Sequence, residues 1–264
     1  MVQVGPERVG EGVHFNISNT KNVKQYKARG IVLNTLKYGE SSMVAHLLTD
    51  VGGRRGYMVQ GLGKGRGAKG GKGALFQPMF LLDFVGLESN KTELDRLKEV
   101  TLAVPLQSIP FDVRKSTVAL FMAELLYKLI REVEPNSPLF DFVYNSVVAL
   151  DSLQEGVYNF HLWFMVQLSR HLGFYPADEW SEGAVFDIEG GCFSRILPRS
   201  GLYINVENSR LLHELMEATP DELGDIGLSR LQRKEFIGSL LAYFGYHLDT
   251  IHNIASLRIL SEVF

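Results

Sequence analysis

The spacing of apolar residues changes near Pro110, and this change limits the folds open to the chain. Before it, between residues 25 and 106, short runs alternate apolar with polar residues and are separated by turn residues, which is the pattern of β-strands. After it, apolar residues recur at spacings of three and four, which places them on one face of a helix. The sequence therefore predicts an α+β chain, with a β-rich domain at 25–106 and a mainly α-helical domain at 107–264.

Five short strands are predicted in the first domain. Strand-like runs begin at Lys27, at Met43, at Arg55 and at Phe76, and a fifth strand is possible between Lys91 and Val104. Five strands in about 80 residues, with a long loop between the third and fourth, are typical of a small Greek-key barrel of the oligonucleotide-binding (OB) type. Residues 1–24 show little periodicity. We expect them to form a disordered extension, or to derive from an upstream start that is not the natural one.

The second domain contains several amphipathic stretches and one that is apolar on almost every side. The latter, Val157–Leu172, is expected to lie at the centre of a helical bundle and to end at Gly173. Ser137 is the expected N-cap of the preceding helix, with Pro138 in its first turn. Gly-rich residues between 176 and 203 predict a loop insertion or small hairpin. Further helices are predicted at about 118–130, 137–150, 208–218 and 230–248, with a short one near the end of the chain.

Positive charge is concentrated in one part of a chain whose formal net charge is −3. Residues 24–80 hold ten Lys and Arg residues against two acidic residues. Within them, the stretch 52–78 contains no acidic residue, and glycines separate its later cations in the Gly-Lys loop, residues 61–73. Such a loop buries little apolar surface, but its cations can follow a row of phosphates. The pattern indicates a nucleic-acid-binding segment, and a merely solvated hairpin loop is the alternative.

No pattern of catalytic residues is found, and no cofactor is expected. The Gly-Lys loop fails as a P-loop because Gly73 stands where Ser or Thr is needed, and its spacing match to a dinucleotide fingerprint lacks a following helix. The seven histidines contain no HExxH pattern. Cys192 is the only cysteine, so an internal disulfide and a thiolate zinc cluster are excluded. No apolar run reaches membrane-spanning length. We therefore expect a cytoplasmic, nucleoid-associated protein that is not an enzyme.

The cations of the barrel are the predicted nucleic-acid contacts, since phosphate contacts give affinity without reading sequence. Tyr38 and Tyr57 are candidates for stacking on unpaired bases, whereas Phe76 is expected in the core. An OB barrel serves RNA equally well, so an RNA-binding accessory factor is an alternative, as is an enzyme that binds a nucleotide at the Gly-Lys loop. The predicted nucleic-acid-binding residues are Lys27, Arg29, Arg54, Arg55, Lys64, Arg66, Lys69 and Lys72.

Several motifs, in this order and spacing, resemble the RecO family of bacterial recombination-mediator and DNA repair proteins. The similarity spans about residue 26 to the end of the chain. The resemblance implies an OB domain followed by a helical domain, binding of single- and double-stranded DNA, and annealing of complementary strands. The motifs are Ala28–Leu33, Tyr38–Ser42, Leu48–Gly53, Gly73–Pro78, Glu134–Phe140 and His171–Pro176.

The resemblance also implies protein partners. These are RecR, the acidic C-terminal tail of single-strand DNA-binding protein and, indirectly, RecA. An acidic peptide with an apolar end needs a cation beside an apolar groove, and Lys128, Arg131 and Arg170 of the helical domain are candidates for that role.

The chain departs from the family at one place. Many family members carry a four-cysteine zinc site between the positions of Pro176 and Arg195, and only Cys192 is found here. We therefore expect no zinc, and expect the loop to be held by packing of Trp180, Phe186 and Phe193.

Overall fold

The computed structural model describes residues 24–62, 71–89, 94–131, 133–177, 179–248 and 253–264. The prediction for residues 1–23 lies outside this part of the chain. The first domain is built from five strands, which are β1 (Gln25–Lys37), β2 (Ser42–Thr49), β3 (Arg54–Gln60), β4 (Leu81–Leu87) and β5 (Asp95–Leu102).

The five strands form a closed barrel in the order β1-β2-β3-β5-β4, which confirms the predicted barrel. β1 pairs antiparallel with both β2 and β4, and β3 closes the barrel by pairing parallel with β5. β4 begins at Leu81 instead of Phe76. The earlier residues form a short 3-10 helix, Lys72–Leu75, followed by a turn in which Met79 has a φ of 63°.

The strands bury side chains on both faces, in two separate cores. One set fills the barrel interior and includes Val32, Ala45 and Leu47, with Phe76 packed against them as predicted. Residues on the outside of β1 and β2, among them Ile31 and Leu48, belong to the core of the helical domain. The outer wall of the barrel at this place is therefore part of the junction between the two halves of the chain.

The second domain consists of α1 (Val113–Leu129), α2 (Ser137–Ser152), α3 (Val157–Leu172), α4 (Val206–Glu217), α5 (Arg230–His247) and α6 (Ser256–Val263). α3 packs against α1, α2, α4 and α5, as its nearly continuous apolar surface predicted. Gly173 ends α3 with a φ of 87°, a conformation that glycine adopts without steric cost. The N-cap of α2 is Asn136 instead of Ser137, because the Asn136 side chain accepts the hydrogen bond from the Leu139 N–H.

The loop insertion forms a three-stranded sheet of β6 (Val185–Asp187), β7 (Cys192–Ser194) and β8 (Tyr203–Ile204), in the order β7-β6-β8. Its aromatic residues pack as expected. The Trp180 ring stacks on His213 at 4.7 Å between centroids, and Phe186 meets Phe193 edge to face at 5.2 Å. Phe186 also contacts Tyr243, which attaches the sheet to α5.

The last turn of α2 holds the connection between the barrel and α1. The Asp151 carboxylate accepts hydrogen bonds from the backbone N–H groups of Gln107, Ser108 and Ile109 at 2.7–2.9 Å. The buried Lys115 of α1 donates to the Asp151 backbone carbonyl at 2.7 Å. These bonds fix the linker against both helices. Among the described residues, no helix has the length and apolar character needed to cross a membrane.

Candidate nucleic-acid interface

A row of side chains crosses the outer surface of the barrel. Leu36 pairs with Val44, Val44 with Met58, and Met58 with Arg96. Paired residues lie on the same face of a sheet, and the neighbours of Val44 in β2 point into the barrel, so these four point outward. Leu36 is 52% exposed, Val44 and Met58 are half-buried, and Arg96 is exposed. The row thus offers an apolar surface that ends in a cation.

Tyr38 extends this row at the turn between β1 and β2. It follows Leu36 by two residues, so it lies on the same face, and it is 62% exposed. The Leu62 N–H donates to the Ser41 carbonyl at 3.0 Å, which places the start of the Gly-Lys loop beside the turn. A Cβ atom on Gly73 would lie 3.7 Å from the Leu62 side chain. Both ends of the loop therefore meet next to Tyr38.

Of the four cations of the Gly-Lys loop, the structure describes only Lys72. Lys64, Arg66 and Lys69 lie outside the described residues, so their assignment stays a prediction. Lys72 is half-buried in the 3-10 helix at the end of the loop, and burial lowers the pKa of its ammonium group.

Arg29 and Arg54 contact the helical domain. The Arg29 guanidinium donates to Asp50 at 3.1 Å, lies 3.6 Å from Asp141 of α2 and stands 5.0 Å from the centroid of the Phe140 ring. We therefore assign Arg29 to the junction. Its side chain stays exposed, so its assignment as a DNA contact stays a prediction.

Arg54 has a similar position at the end of α1. It donates to the carbonyl of Tyr127, and its guanidinium lies 4.8 Å from the Tyr127 ring centroid. His46 also packs on Tyr127, with its ring centroid 5.1 Å from that of the tyrosine. Burial, with a smaller effect of the Arg54 charge, lowers the pKa of His46. Arg54 is accordingly a residue of the junction, and its assignment as a phosphate contact stays a prediction.

Tyr57 lies in the barrel interior with no exposed surface, so the prediction that it stacks on a base is wrong. Tyr26 donates to the Asp95 carboxylate at 2.5 Å and lies 3.2 Å from the Tyr57 hydroxyl. Burial raises the pKa of Tyr57, and the hydrogen bond with Tyr26 adds to this effect. Arg55 stands at the edge of this cluster, 3.7 Å from Asp95. Its charge is therefore largely balanced within the barrel.

Lys27 is exposed on the outside of β1, paired with Val85 of β4. It precedes Leu36 by nine residues, at a rise of about 3.3 Å per residue along the strand. Asp83 and Glu99 line the same shallow groove. Lys27 therefore lies apart from the row, in a surface of mixed charge.

Sequence reasoning missed the apolar row and Arg96. The alternation within β2 and β3 indicated which residues point outward, but not which strands lie side by side. Arg96 was left out because it falls beyond the basic stretch, yet the parallel pairing of β3 with β5 places it beside Met58.

The three candidates for binding a partner peptide stay a prediction, and the structure places each of them in a different environment. Lys128 donates to the Asn253 carbonyl at 2.5 Å and lies 3.2 Å from Glu124, so it fixes the segment before α6. The Arg170 guanidinium stacks over the Tyr175 ring at 3.9 Å. Arg131 is exposed after the end of α1.

A groove between α5 and α6 combines cations with apolar side chains. It has a volume of about 460 Å³. The neutral His161 lies at its base, where burial lowers the pKa to about 3 and the charge of Arg233 contributes. This α5–α6 groove is lined by the exposed Arg230, Lys234 and Arg258 and by the apolar Ile237, Leu241 and Leu257.

Two family models together match most of the chain. The N-terminal model of Recombination protein O matches residues 23–105, and the C-terminal model matches residues 110–254. The chain belongs to the RecO family. A DNA repair protein RecO of Bacteroides fragilis is 35% identical over 240 residues, which cover 90% of this chain and 98% of that protein.

Two further RecO family members give the same result. The DNA repair protein RecO of Phocaeicola vulgatus is 33% identical over 239 residues, covering 90% of this chain and 98% of that protein. That of Flavobacterium psychrophilum is 33% identical over 240 residues, covering 91% and 99%. The family has a role in recombinational DNA repair, and these names describe DNA repair proteins.

The expected absence of zinc stays a prediction for this RecO family member. Within the described ranges, no three His, Cys, Asp or Glu residues are grouped so that they could hold a metal ion. In this part of the chain, Trp180 and Phe193 pack on His213, and Phe186 packs on Phe193.

Proposed function

We propose that the protein binds single- and double-stranded DNA through the outer surface of its barrel and anneals complementary strands. The observation that carries this proposal is the meeting of three features at one place. These are the exposed Tyr38, the apolar row that ends in Arg96, and the two ends of the Gly-Lys loop. Aromatic and apolar side chains stack on bases, and cations neutralise phosphates.

The proposal extends to a mediator role in repair. By holding a single strand, the protein would help to load RecA onto strands coated by single-strand DNA-binding protein, with RecR as a further partner. Neutralising the phosphates of two strands would also lower their mutual repulsion and favour annealing. Family membership supports this role, and the barrel surface supplies the DNA-binding part of it.

A salt titration tests the mechanism. Binding of labelled single- and double-stranded oligomers is measured by fluorescence anisotropy over a range of salt concentrations. Charge-dominated binding predicts that log K falls with log salt by about 0.7 per phosphate contacted on single strands. A flat response would exclude the mechanism. Competition with RNA of the same sequence distinguishes the RNA-binding alternative, for which RNA would displace the DNA oligomer more effectively than DNA itself does.

Alanine at Tyr38 is expected to weaken single-stranded DNA binding about tenfold, because base–aromatic stacking contributes on the order of 1–3 kcal/mol per base. Double-stranded DNA has no unpaired base to stack, so its affinity should stay unchanged. Tyr246→Ala is the matched control, since Tyr246 is 44% exposed on α5. Equal losses for both DNA forms would argue against stacking by Tyr38.

The α5–α6 groove is the proposed docking place for the acidic tail of single-strand DNA-binding protein. Its exposed cations suit acidic side chains, and its apolar floor suits an apolar chain end. Reversing the charge of Lys234 and Arg258 to Glu should raise the Kd of the isolated tail peptide about tenfold or more, as measured by calorimetry. Arg131→Glu tests the alternative site at the end of α1, which was suggested by the sequence. A loss of binding confined to Arg131→Glu would move the site to the end of α1.

A further inference from the structure

The end of α6 lies in the α5–α6 groove and covers part of its base. The Phe264 ring is half-buried and stacks on the buried His161, with the two ring centroids 6.0 Å apart and the ring planes 6° from parallel. The Arg230 guanidinium donates to the Ser261 carbonyl, and the Arg233 guanidinium donates to the Phe264 carbonyl at 3.3 Å. All of these residues line the groove. A segment of the chain therefore already occupies part of it.

This segment has the same character as the peptide that the groove is proposed to bind. Residues 261–264 read Ser-Glu-Val-Phe, so an acidic residue is followed by two apolar ones. The described residues that line the groove include four Lys and Arg residues and no Asp or Glu. An acidic peptide with an apolar end and the end of α6 are therefore suited to the same surroundings.

The contact with Phe264 leaves the side chain of Arg233 incompletely paired. Its Nη1 donates to the Leu228 carbonyl at 2.6 Å and its Nη2 to the Phe264 carbonyl, while its buried Nε has no hydrogen-bond partner among the described residues. Nε and Nη2 share one edge of the guanidinium, and a carboxylate can accept from both in a bidentate pair. An unpaired buried donor costs free energy. A peptide carboxylate would therefore satisfy this edge better than the Phe264 carbonyl does.

We propose that Phe264 is an intramolecular competitor for the acidic peptide, so that the peptide binds by displacing it. A carboxylate of the peptide takes the Nε–Nη2 edge of Arg233, and the apolar end of the peptide replaces the Phe264 ring on His161. This inference rests on the proposed docking of the acidic tail in the α5–α6 groove. It adds that the groove binds the tail only in those molecules in which Phe264 has moved away, which raises the apparent Kd.

Displacement requires only the end of α6 to open. The Glu124 carboxylate of α1 accepts hydrogen bonds from the N–H groups of Ala255 and Ser256 at 2.9 and 2.8 Å, and these bonds anchor the start of the helix. Leu260, one turn before Phe264, is buried in the core of the helical domain. The wall that α6 supplies to the groove therefore stays in place while Phe264 moves.

Alanine at Phe264 is expected to lower the Kd of the isolated tail peptide about threefold to tenfold, because more molecules are then competent to bind. Calorimetry with the full chain measures this change. Ile259→Ala is the matched control and should leave the Kd unchanged, since Ile259 is 38% exposed on the same helix and is not among the described residues that line the groove. Arg233→Lys keeps the charge but loses the bidentate edge, so it should raise the Kd about fivefold or more.

Hydrogen–deuterium exchange on the wild-type protein follows the displacement itself. The Phe264 N–H donates to the Leu260 carbonyl at 3.0 Å, and a saturating concentration of the tail peptide should make this amide exchange faster. Slower exchange would mean that the peptide docks over Phe264, and it would overturn the inference. A Phe264→Ala variant that binds the peptide no more tightly than the wild-type protein would overturn it as well.

The variant Lys234→Glu with Arg258→Glu separates this inference from the proposed function. If this charge reversal leaves peptide binding unchanged, the peptide does not dock in the groove, and the proposed docking fails together with the inference. If the charge reversal weakens binding while Phe264→Ala has no effect, the docking stands and only the competition by Phe264 is excluded.

Discussion

Alanine at the four cations of the Gly-Lys loop is expected to weaken single-stranded DNA binding by about two to three orders of magnitude at a salt concentration of about 0.1 M. Each phosphate contact on a single strand contributes about 0.7 to the slope of log K against log salt, so losing four contacts should reduce the slope by about 2.8. The effect should be the same for unrelated sequences, because phosphates carry no sequence information. The four residues are Lys64, Arg66, Lys69 and Lys72.

A matched variant with four alanines in the helical domain separates a local effect from a change in net charge. Its four residues are all exposed, and we expect its DNA affinity to change by about twofold or less, since distant exposed charges are screened by salt. If both variants lost affinity equally, the barrel would have no special part in binding. If the loop variant changed the affinity for one sequence only, base readout would be the better explanation. The control residues are Arg114, Arg131, Arg170 and Arg210.

We prefer the loop variant to variants of the barrel arginines, because two of those arginines contact the helical domain. Arg29 and Arg54 contact α2 and the end of α1, so replacing them would change stability together with any effect on DNA. Lys72, by contrast, is held at the base of the loop without an ion pair among the described residues, and its replacement leaves the junction intact. Affinity changes in the loop variant can therefore be interpreted as lost contacts.

The barrel and the helices could be predicted because their signals are local. Alternation within β2 and β3 and the spacing of apolar residues in α3 each involve a few consecutive residues. The N-cap of α2 was misplaced by one residue since Asn136 and Ser137 are both good caps. The start of β4 was also misplaced. There, the apolar run that begins at Phe76 is broken by a turn at Pro78 and Met79, and the strand begins only at Leu81.

The candidate site could be predicted only in part, because it depends on which outer wall of the barrel the helices cover. Arg54 and Met58 belong to the same strand, yet Arg54 meets Tyr127 of α1 while Met58 stays beside Arg96. That difference comes from residues more than 30 positions away, which no local pattern reports. Tyr38 is exposed because the turn that carries it lies beyond the covered part of the wall, whereas Tyr57 points inward by the alternation of β3.

Alanine at Asp151 is expected to lower the free energy of unfolding by about 3 kcal/mol, as measured by urea denaturation. The carboxylate accepts from three backbone N–H groups of the linker, and hydrogen bonds to a charged group contribute on the order of 1.5–3 kcal/mol each before water replaces some of them. Asp141→Ala is the control, because its pair with Arg29 is exposed and should contribute about 0.5 kcal/mol. If both variants lost the same free energy of unfolding, the hydrogen bonds to the linker would contribute no more than an exposed ion pair.

The contribution of Asp151 should also depend on pH. Burial alone would raise the pKa of its carboxyl group, but the N–H donors of Ile109, Gln107 and Ser108 outweigh burial and lower it. A folded pKa below the unfolded value of about 3.9 means that the carboxylate stabilises the fold fully above that value, and that this stabilisation is lost as the pH falls through the folded pKa. The difference in stability between the wild-type protein and Asp151→Ala should therefore be constant near neutral pH and shrink below about pH 4. A difference that persists unchanged in acid would show that packing, and not the charged hydrogen bonds, joins the linker to α2.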